Sequence, residues 1–360
     1  MNAMLTDNSS IRVPTDSLRE LVVSLLVAEG VSVNVATSVA DPLIAADLGG
    51  KASHGVMLLP MYIERIRAGS VSKAEFAQVA HDAKAVVVLD AANVLGQVSA
   101  KQAITLAIER ARRYGLAMVT VRNAFHFGEA GFWARKMADA GCVGIAMANT
   151  RPLMPAPGGA QRVIGNNPLA IAMPHADEIP VELDMAMSAS AMGKIRLAQG
   201  AGHEIPEGWA VDAQGIPTRD ATKAIAGMLL PAAGPKGFGL AFMIDLLCGG
   251  LSDGGVADEV QPLYGASATP YNSAQAFLAI DASQFGLQRP LEQRASDLAT
   301  QVRTSPPAAG TERLYSPGEI SWQVAQANGQ TCPVAVDVAR QLAGLASVAG
   351  VQAPAAWADI

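Results

Sequence analysis

Five histidines, His54, His81, His126, His175 and His203, carry the imidazole chemistry available to this chain, and no two lie closer than 27 residues apart. That spacing excludes a His-x-x-x-His metal motif, so a metal site would have to be assembled from distant segments, and none is expected. His175 and His203 stand beside Asp177-Glu178 and Glu204, and His81 precedes Asp82; these contexts fit solvated surface histidines. His54 differs. In Ser53-His54-Gly55 a hydroxyl adjoins an imidazole where a helical pattern begins, so two proton-handling groups would meet outward-pointing backbone N–H donors. The plainer alternative is a Ser53 cap with an incidental histidine. His126, in Phe125-His126-Phe127-Gly128, has apolar neighbours that fit a hydrogen-bonded core histidine.

Phosphate-binding signatures are sparse. No Gly-x-Gly-x-x-Gly follows a strand pattern and no Gly-x-x-x-x-Gly-Lys-[Ser/Thr] occurs, so neither a Rossmann dinucleotide loop nor a P-loop is supported. The nearest candidate is Gly234-Pro235-Lys236-Gly237-Phe238-Gly239, where glycines and a lysine open a helical pattern. It reads equally as a phosphate cradle or as a tight turn with a surface lysine. A Gly-x-Ser-x-Gly nucleophile elbow is absent as well.

The elements that must position these groups follow from the 360-residue length, which at about 150 residues per domain suggests two domains. Twenty-six Lys and Arg stand against 32 Asp and Glu, with 5% aromatic residues, so no basic, aromatic-rich face for nucleic acid is expected. Although 50% of residues are hydrophobic, no apolar run approaches the roughly 18 needed to span a bilayer, and the first residues carry no signal-peptide apolar core. Three scattered cysteines, Cys142, Cys248 and Cys332, fit a reducing compartment, and the cytoplasm is expected.

Hydrophobic periodicity predicts helices over residues 33–48, 57–68, 98–114, 131–140, 236–251 and 334–348, with Ser17-x-x-Glu20 as a capping box for one that starts before Leu21. Strand patterns occupy 85–90, 116–121, 142–148, 169–173, 181–184 and 276–281. The first two flank a helix, as in a βαβ unit, and the class is α/β. The last helix is expected to pack back on another part of the chain.

Taken together, these segments make the chain similar to the malate/L-lactate dehydrogenase family of the second type, NAD(P)-dependent 2-hydroxyacid dehydrogenases unrelated to the Rossmann enzymes. The resemblance rests on Ser53-His54-Gly55-Val56, His126-Phe127-Gly128, Gly165-Asn166-Asn167-Pro168 and Leu183-Asp184-Met185-Ala186-Met187-Ser188 with Gly193-Lys194. It continues through Ile205-Pro206-Glu207-Gly208-Trp209, Gly215-Ile216-Pro217-Thr218, Lys236-Gly237 and Pro317-Gly318-Glu319, in family order across residues 15–345.

The resemblance implies a homodimer with a non-Rossmann nicotinamide-binding fold, a helical N-terminal unit and discontinuous domains. The expected division is 1–75 with 285–360 as the helical unit, 76–125 with 268–284 as a mixed dimerisation and substrate region, and 126–267 as the cofactor-binding domain. By similarity, Thr150, Asp184, Met185, Ala186, Ser188, Lys236, Gly237, Gly318 and Glu319 would contact NAD or NADP. His54 would be the general acid/base for interconversion of a 2-oxo and a 2-hydroxy acid, oriented by Ser53, and His126 would polarise the same oxygen. One position departs from the family: Leu58 stands where many members carry an arginine for the substrate carboxylate. This implies a preference for apolar monocarboxylates over malate, with Arg196, Lys194 or backbone amides gripping the carboxylate. The alternatives are a reductase of cyclic imino acids and a member that binds a small acid without turnover.

Overall fold

A computed structural model describes residues 10–358. The chain divides into two units, Met1–Glu75 with Ile320–Ile360, and Phe76–Glu319.

The first unit is built on helices whose apolar residues recur at helical spacing. Thr15–Ala28 buries Leu18, Leu21, Val22, Leu25 and Leu26 along one stripe. Its start corrects the expected capping box: Pro14, with φ −52° and ψ 131°, occupies the N-cap, so the helix begins at Thr15 and Ser17 already lies inside its first turn. Val33–Leu48 follows, capped by Ser32, whose hydroxyl accepts from the Val35 N–H. Leu59–Arg67 carries Pro60 in its first turn, where a missing N–H costs nothing. Val336–Ala349 does return, packing on Thr15–Ala28 and Leu59–Arg67. A two-stranded ladder ties it in place, with Ser10–Pro14 antiparallel to Thr331–Ala335, in register from Ser10↔Ala335 to Pro14↔Thr331.

In the second unit a seven-stranded mixed sheet runs in the order Gln78–Ala83, Val86–Asp90, Leu116–Ala124, Ser273–Asp281, Cys142–Ala148, Leu169–Met173, Val181–Met185. Val86–Asp90 and Leu116–Ala124 are parallel and joined by the Gly96–Tyr114 helix, the expected βαβ unit. Every other neighbouring pair is antiparallel. Such a sheet has no parallel doubly wound half to present a Rossmann crevice, which accounts for the missing glycine fingerprint. A buried cluster that includes Met147, Met154, Ile164, Met187, Ile195, Leu229 and Ile244 gathers the short ladders Met154–Pro155 with Arg162–Ile164 and Ala210–Val211 with Met228–Leu229. The helices Met192–Gly200, Ala221–Ala226 and Pro235–Asp245 pack into the same cluster. The helix expected over 236–251 is α-helical only through Asp245 and continues as a π segment, Leu246–Gly250, that ends in a glycine pair. Among the described residues no helix is long and apolar enough to cross a membrane.

Candidate active site

Ser53 and His54 lie in the first unit, and the other expected site residues lie in the second. After Val33–Leu48 ends at Gly49, the chain makes a 3₁₀ turn over Ala52–His54 and a second over Val56–Leu58. Ser53 Oγ stands 3.1 Å from His54 Nδ1, so the hydroxyl engages the ring rather than capping the following turn. The imidazole is half-buried and Ser53 exposed.

What holds this turn is a residue the sequence reading passed over. Asp47, 4% exposed, accepts the Val56 N–H at 2.9 Å through Oδ2. Its Oδ1 lies where a side chain at position 55 would stand, 1.9 Å from an ideal Cβ, so Gly55 is required by this close approach. Burial pushes the Asp47 carboxyl up to about 7, against the lowering effect of the Val56 hydrogen bond. The buried thiol of Cys332 is in turn pushed up to about 11 by its own burial and by the charge of Asp47. The signal was an acidic residue on the apolar stripe of a helix, four residues after Leu43 and seven after Ala40, both fully buried.

In the second unit His126 is half-buried in a turn held on both sides. Gln275 donates to Phe125 O at 2.8 Å and the Trp133 indole to Phe127 O at 3.0 Å. Phe127 stacks on Trp133 with ring centroids 6.5 Å apart. The turn presses against the start of the Gly96–Tyr114 helix: a Cβ on Gly96 would lie 2.3 Å from Phe125 O and 2.4 Å from His126 O. Helix propensity favours alanine over glycine by about 1 kcal/mol, whereas overpacking against backbone costs about 1–3 kcal/mol or more. Gly96→Ala is therefore expected to lower the urea midpoint, and a rise in the midpoint would show that the close approach does not govern this site.

The expected cofactor segments are joined by one continuous run of hydrogen bonds. Thr150 Oγ1 donates to Asn166 Oδ1 at 3.0 Å, and its N–H donates to Asn167 Oδ1 at 2.9 Å. The Met187 N–H donates to Asn166 O, the Ala232 N–H to Met187 O, and the Gly237 N–H to Ala232 O, at 2.8, 2.8 and 3.0 Å. The fully buried Asn167 reaches across to Ala241 O at 2.9 Å, inside the helix that begins with Pro235 and Lys236. Ser188 and Pro231 form a bridge, and Ser188 Oγ donates to Ser190 O. Thr150, residues 184–188 and Lys236-Gly237 thus belong to one piece of structure.

Gly318, at φ +90°, packs on Glu182, whose N–H donates to Pro317 O at 3.1 Å. The Glu319 carboxylate is fully buried and accepts from Ser316 N–H and Oγ at 3.0 and 3.1 Å, closing its own turn; Arg313 also pairs with it. Asp184 sits with Glu129 and Glu182, their carboxylate oxygens within 4.8 Å of one another. Arg135 answers this charge, 2.6 Å from Glu182 and 3.2 Å from Glu129. Burial opposes the Arg135 charge, but the two glutamates hold the guanidinium above its ordinary value.

A fit for a dinucleotide follows from the Pro235–Asp245 helix. The exposed Lys236, which forms no ion pair among the described residues, offers positive charge in its first turn. Beside its Gly234 cap opens a cleft of about 260 Å³ lined by Pro155, Pro157, Val211, Pro217, Pro231 and Gly234, whose mostly apolar walls suit a flat ring. Leu58 is 2% exposed and offers no cation, whereas Lys194 and Arg196 are exposed on the Met192–Gly200 helix.

A mixed sheet without a Rossmann crevice is shared with solved dehydrogenases of unusual fold. The model of the malate/L-lactate dehydrogenase family matches residues 13–343, and the chain belongs to that family. The malate dehydrogenase of Pyrococcus abyssi is 36% identical over 321 residues, covering 87% of this chain and 88% of that protein. The ureidoglycolate dehydrogenase (NAD(+)) of Escherichia coli K12 is 33% identical, covering 86% and 88%. The crystal structure of malate dehydrogenase from Entamoeba histolytica superposes with a TM-score of 0.90 at 27% identity, covering 95% of this chain and 99% of that one. The protein is an enzyme, a nicotinamide-dependent 2-hydroxyacid dehydrogenase.

Proposed function

We propose that the chain interconverts a 2-oxo acid and a 2-hydroxy acid, with His54 as general acid/base. The observation that carries this reading is Ser53 Oγ at 3.1 Å from His54 Nδ1, on a turn held by Asp47 through the Val56 N–H. A hydrogen bond at Nδ1 orients the ring, as proton transfer requires. His54 gives its proton to the developing alkoxide during reduction and takes it back during oxidation. His126, on a turn fixed by Gln275 and Trp133, orients the substrate oxygen. Lys236, beside Gly237, holds a phosphate of NAD or NADP through its ammonium, and Thr150 with residues 184–188 lines the same piece of structure. The cofactor, when bound, supplies or accepts the hydride.

The buried Leu58 supports a substrate with an apolar side chain rather than a second carboxylate. A second copy of the chain is the partner that best suits the exposed apolar row Leu240, Met243, Leu247 and Leu251, which recurs at helical spacing along Pro235–Asp245 and its continuation. The test is turnover of NADH and of NADPH with a panel of 2-oxo acids, oxaloacetate and a cyclic imine. The expected result is the highest kcat/KM with an apolar monocarboxylic 2-oxo acid. A clear preference for oxaloacetate would overturn the substrate assignment, and turnover of the imine alone would overturn the reaction class.

A further inference from the structure

The helix Ala130–Asp139 contacts both the His126 turn and the strand that leads into the proposed cofactor site. It lies directly on the sheet: a Cβ on Gly144, in the strand Cys142–Ala148, would stand 2.3 Å from Ala134 O and 2.7 Å from Met137 Cβ. A helix seated this closely on strand backbone has little room to shift. Trp133 and Arg135 flank Ala134, and residues two apart on a helix point to different sides. On one side the Trp133 indole donates to Phe127 O at 3.0 Å and so holds the His126 turn. On the other, Arg135 Nη1 donates to both carboxylate oxygens of Glu182, at 2.7 and 2.6 Å, and to Glu129 Oε1 at 3.2 Å.

Glu182 belongs to Val181–Met185, which runs straight into residues 186–188. That strand is an edge of the seven-stranded sheet and pairs only with Leu169–Met173. An edge strand has no ladder on its outer side, so side-chain and loop ties decide where its end lies. Two such ties meet at Glu182: its N–H donates to Pro317 O, and its carboxylate takes the Arg135 guanidinium. Both Glu182 and Glu129 are buried, so water screens the pairing little. Gly131, four residues before Arg135, makes the gathering possible. A Cβ there would lie 2.2 Å from Glu182 Oε1, 2.8 Å from Glu129 Oε1 and 3.0 Å from Asp184 Oδ2.

We infer that Arg135 is a positioning residue for the dehydrogenase reaction: through Glu182 it sets residues 184–188, and with them the cofactor, at a fixed place relative to the His126 turn that Trp133 holds. Hydride transfer demands such alignment, since a misplacement of about 1 Å can cost on the order of a hundredfold in rate. The inference rests on the roles proposed above for residues 184–188 and His126.

The deciding variant is Glu182→Gln, which keeps the shape and an oxygen for Arg135 but loses the charge. Electrostatics alone would tighten an anionic dinucleotide when a neighbouring carboxylate is neutralised, whereas loss of position weakens it, so the sign of the change separates the two. In protein shown to be folded by circular dichroism, the Kd for reduced cofactor, read by nicotinamide fluorescence, should rise at least about fivefold in Glu182→Gln. It should rise further in Arg135→Met and less in Arg135→Lys, whose ammonium restores part of the tie. Trp133→Phe keeps a ring against Phe127 and loses the N–H. It should leave that Kd within about twofold and lower kcat/KM for the best 2-oxo acid at least about fivefold. An unchanged or lower Kd in folded Glu182→Gln overturns the positioning role, and this variant decides alone if Arg135→Met does not fold. A Kd raised as much by Trp133→Phe would mean a general loosening of the helix and would overturn it too. If wild type binds reduced cofactor but turns over no 2-oxo acid, the proposed reaction fails while the Kd measurements still decide the role of Arg135.

Discussion

His54→Ala is expected to lower kcat by at least about a hundredfold while the Kd for reduced cofactor stays near the wild-type value. Positioned proton transfer contributes about 10² to 10⁴ in rate, because an alkoxide formed away from bulk water has no other ready donor. The loss should fall on kcat, since the imidazole acts on charge that develops in the transition state rather than on the bound substrate. Stability should change little, as His54 is only half-buried and its turn is fixed through Gly55 and Val56 rather than through the ring. Rates in single-turnover mixing and cofactor titration by fluorescence measure the two quantities separately. Turnover within a few fold of wild type would remove His54 from the reaction.

A second large effect is expected at Asp47, where the variable is pH. Its carboxyl rises from 3.8 to about 7 on folding, so the folded chain holds this proton more tightly than the unfolded chain. Below about pH 4 both states are protonated and the stability contributed by the neutral carboxyl is fully present. Between about pH 4 and 7 the unfolded chain ionises first, and that stability is lost at up to about 1.4 kcal/mol per pH unit, about 4 kcal/mol in all as an upper bound. Asp47→Asn does not titrate and keeps an oxygen for the Val56 N–H. Relative to this variant, wild type should therefore lose stability steadily as pH rises through that window and then level off. Urea unfolding of both proteins at several pH values measures the difference, and parallel profiles would show that Asp47 does not titrate in that range. Cys332, the buried thiol facing Asp47, stays neutral throughout, so the two profiles can diverge only through the carboxyl.

Much of this framework is legible in the sequence because it follows strong periodicity. The strands Cys142–Ala148 and Leu169–Met173 coincide with their apolar runs, and Val33–Leu48 and Gly96–Tyr114 with their stripes. Elements whose stability comes from distant partners left no such mark. Gln78–Ala83 is exposed along its whole length and is a strand only because Val86–Asp90 folds back on it. Met192–Gly200 buries only Ile195, and Ser10–Pro14 needs a partner more than three hundred residues away. The site shows the same division. Ser53 beside His54 is a local feature and could be read directly. Asp47, whose effect passes through the backbone of Gly55 and Val56, depends on tertiary placement. Gly55 and Gly96 are likewise demanded by tertiary contacts, with Asp47 and with the Phe125-His126 backbone.

The antiparallel pairing of Ser10–Pro14 with Thr331–Ala335 bears on how the enzyme is made. During synthesis the segment carrying Ser53 and His54 leaves the ribosome before Phe76–Glu319, but the strand and helix that complete its unit, Thr331–Ala335 and Val336–Ala349, emerge only after it. The intervening Phe76–Glu319 can collapse on its own contacts while the first segment still waits, because loop closure over so long a span is slow compared with local folding. The nascent chain therefore assembles its proposed cofactor-binding half before its proposed proton-transfer half. An interrupted translation product would carry the former without a completed latter.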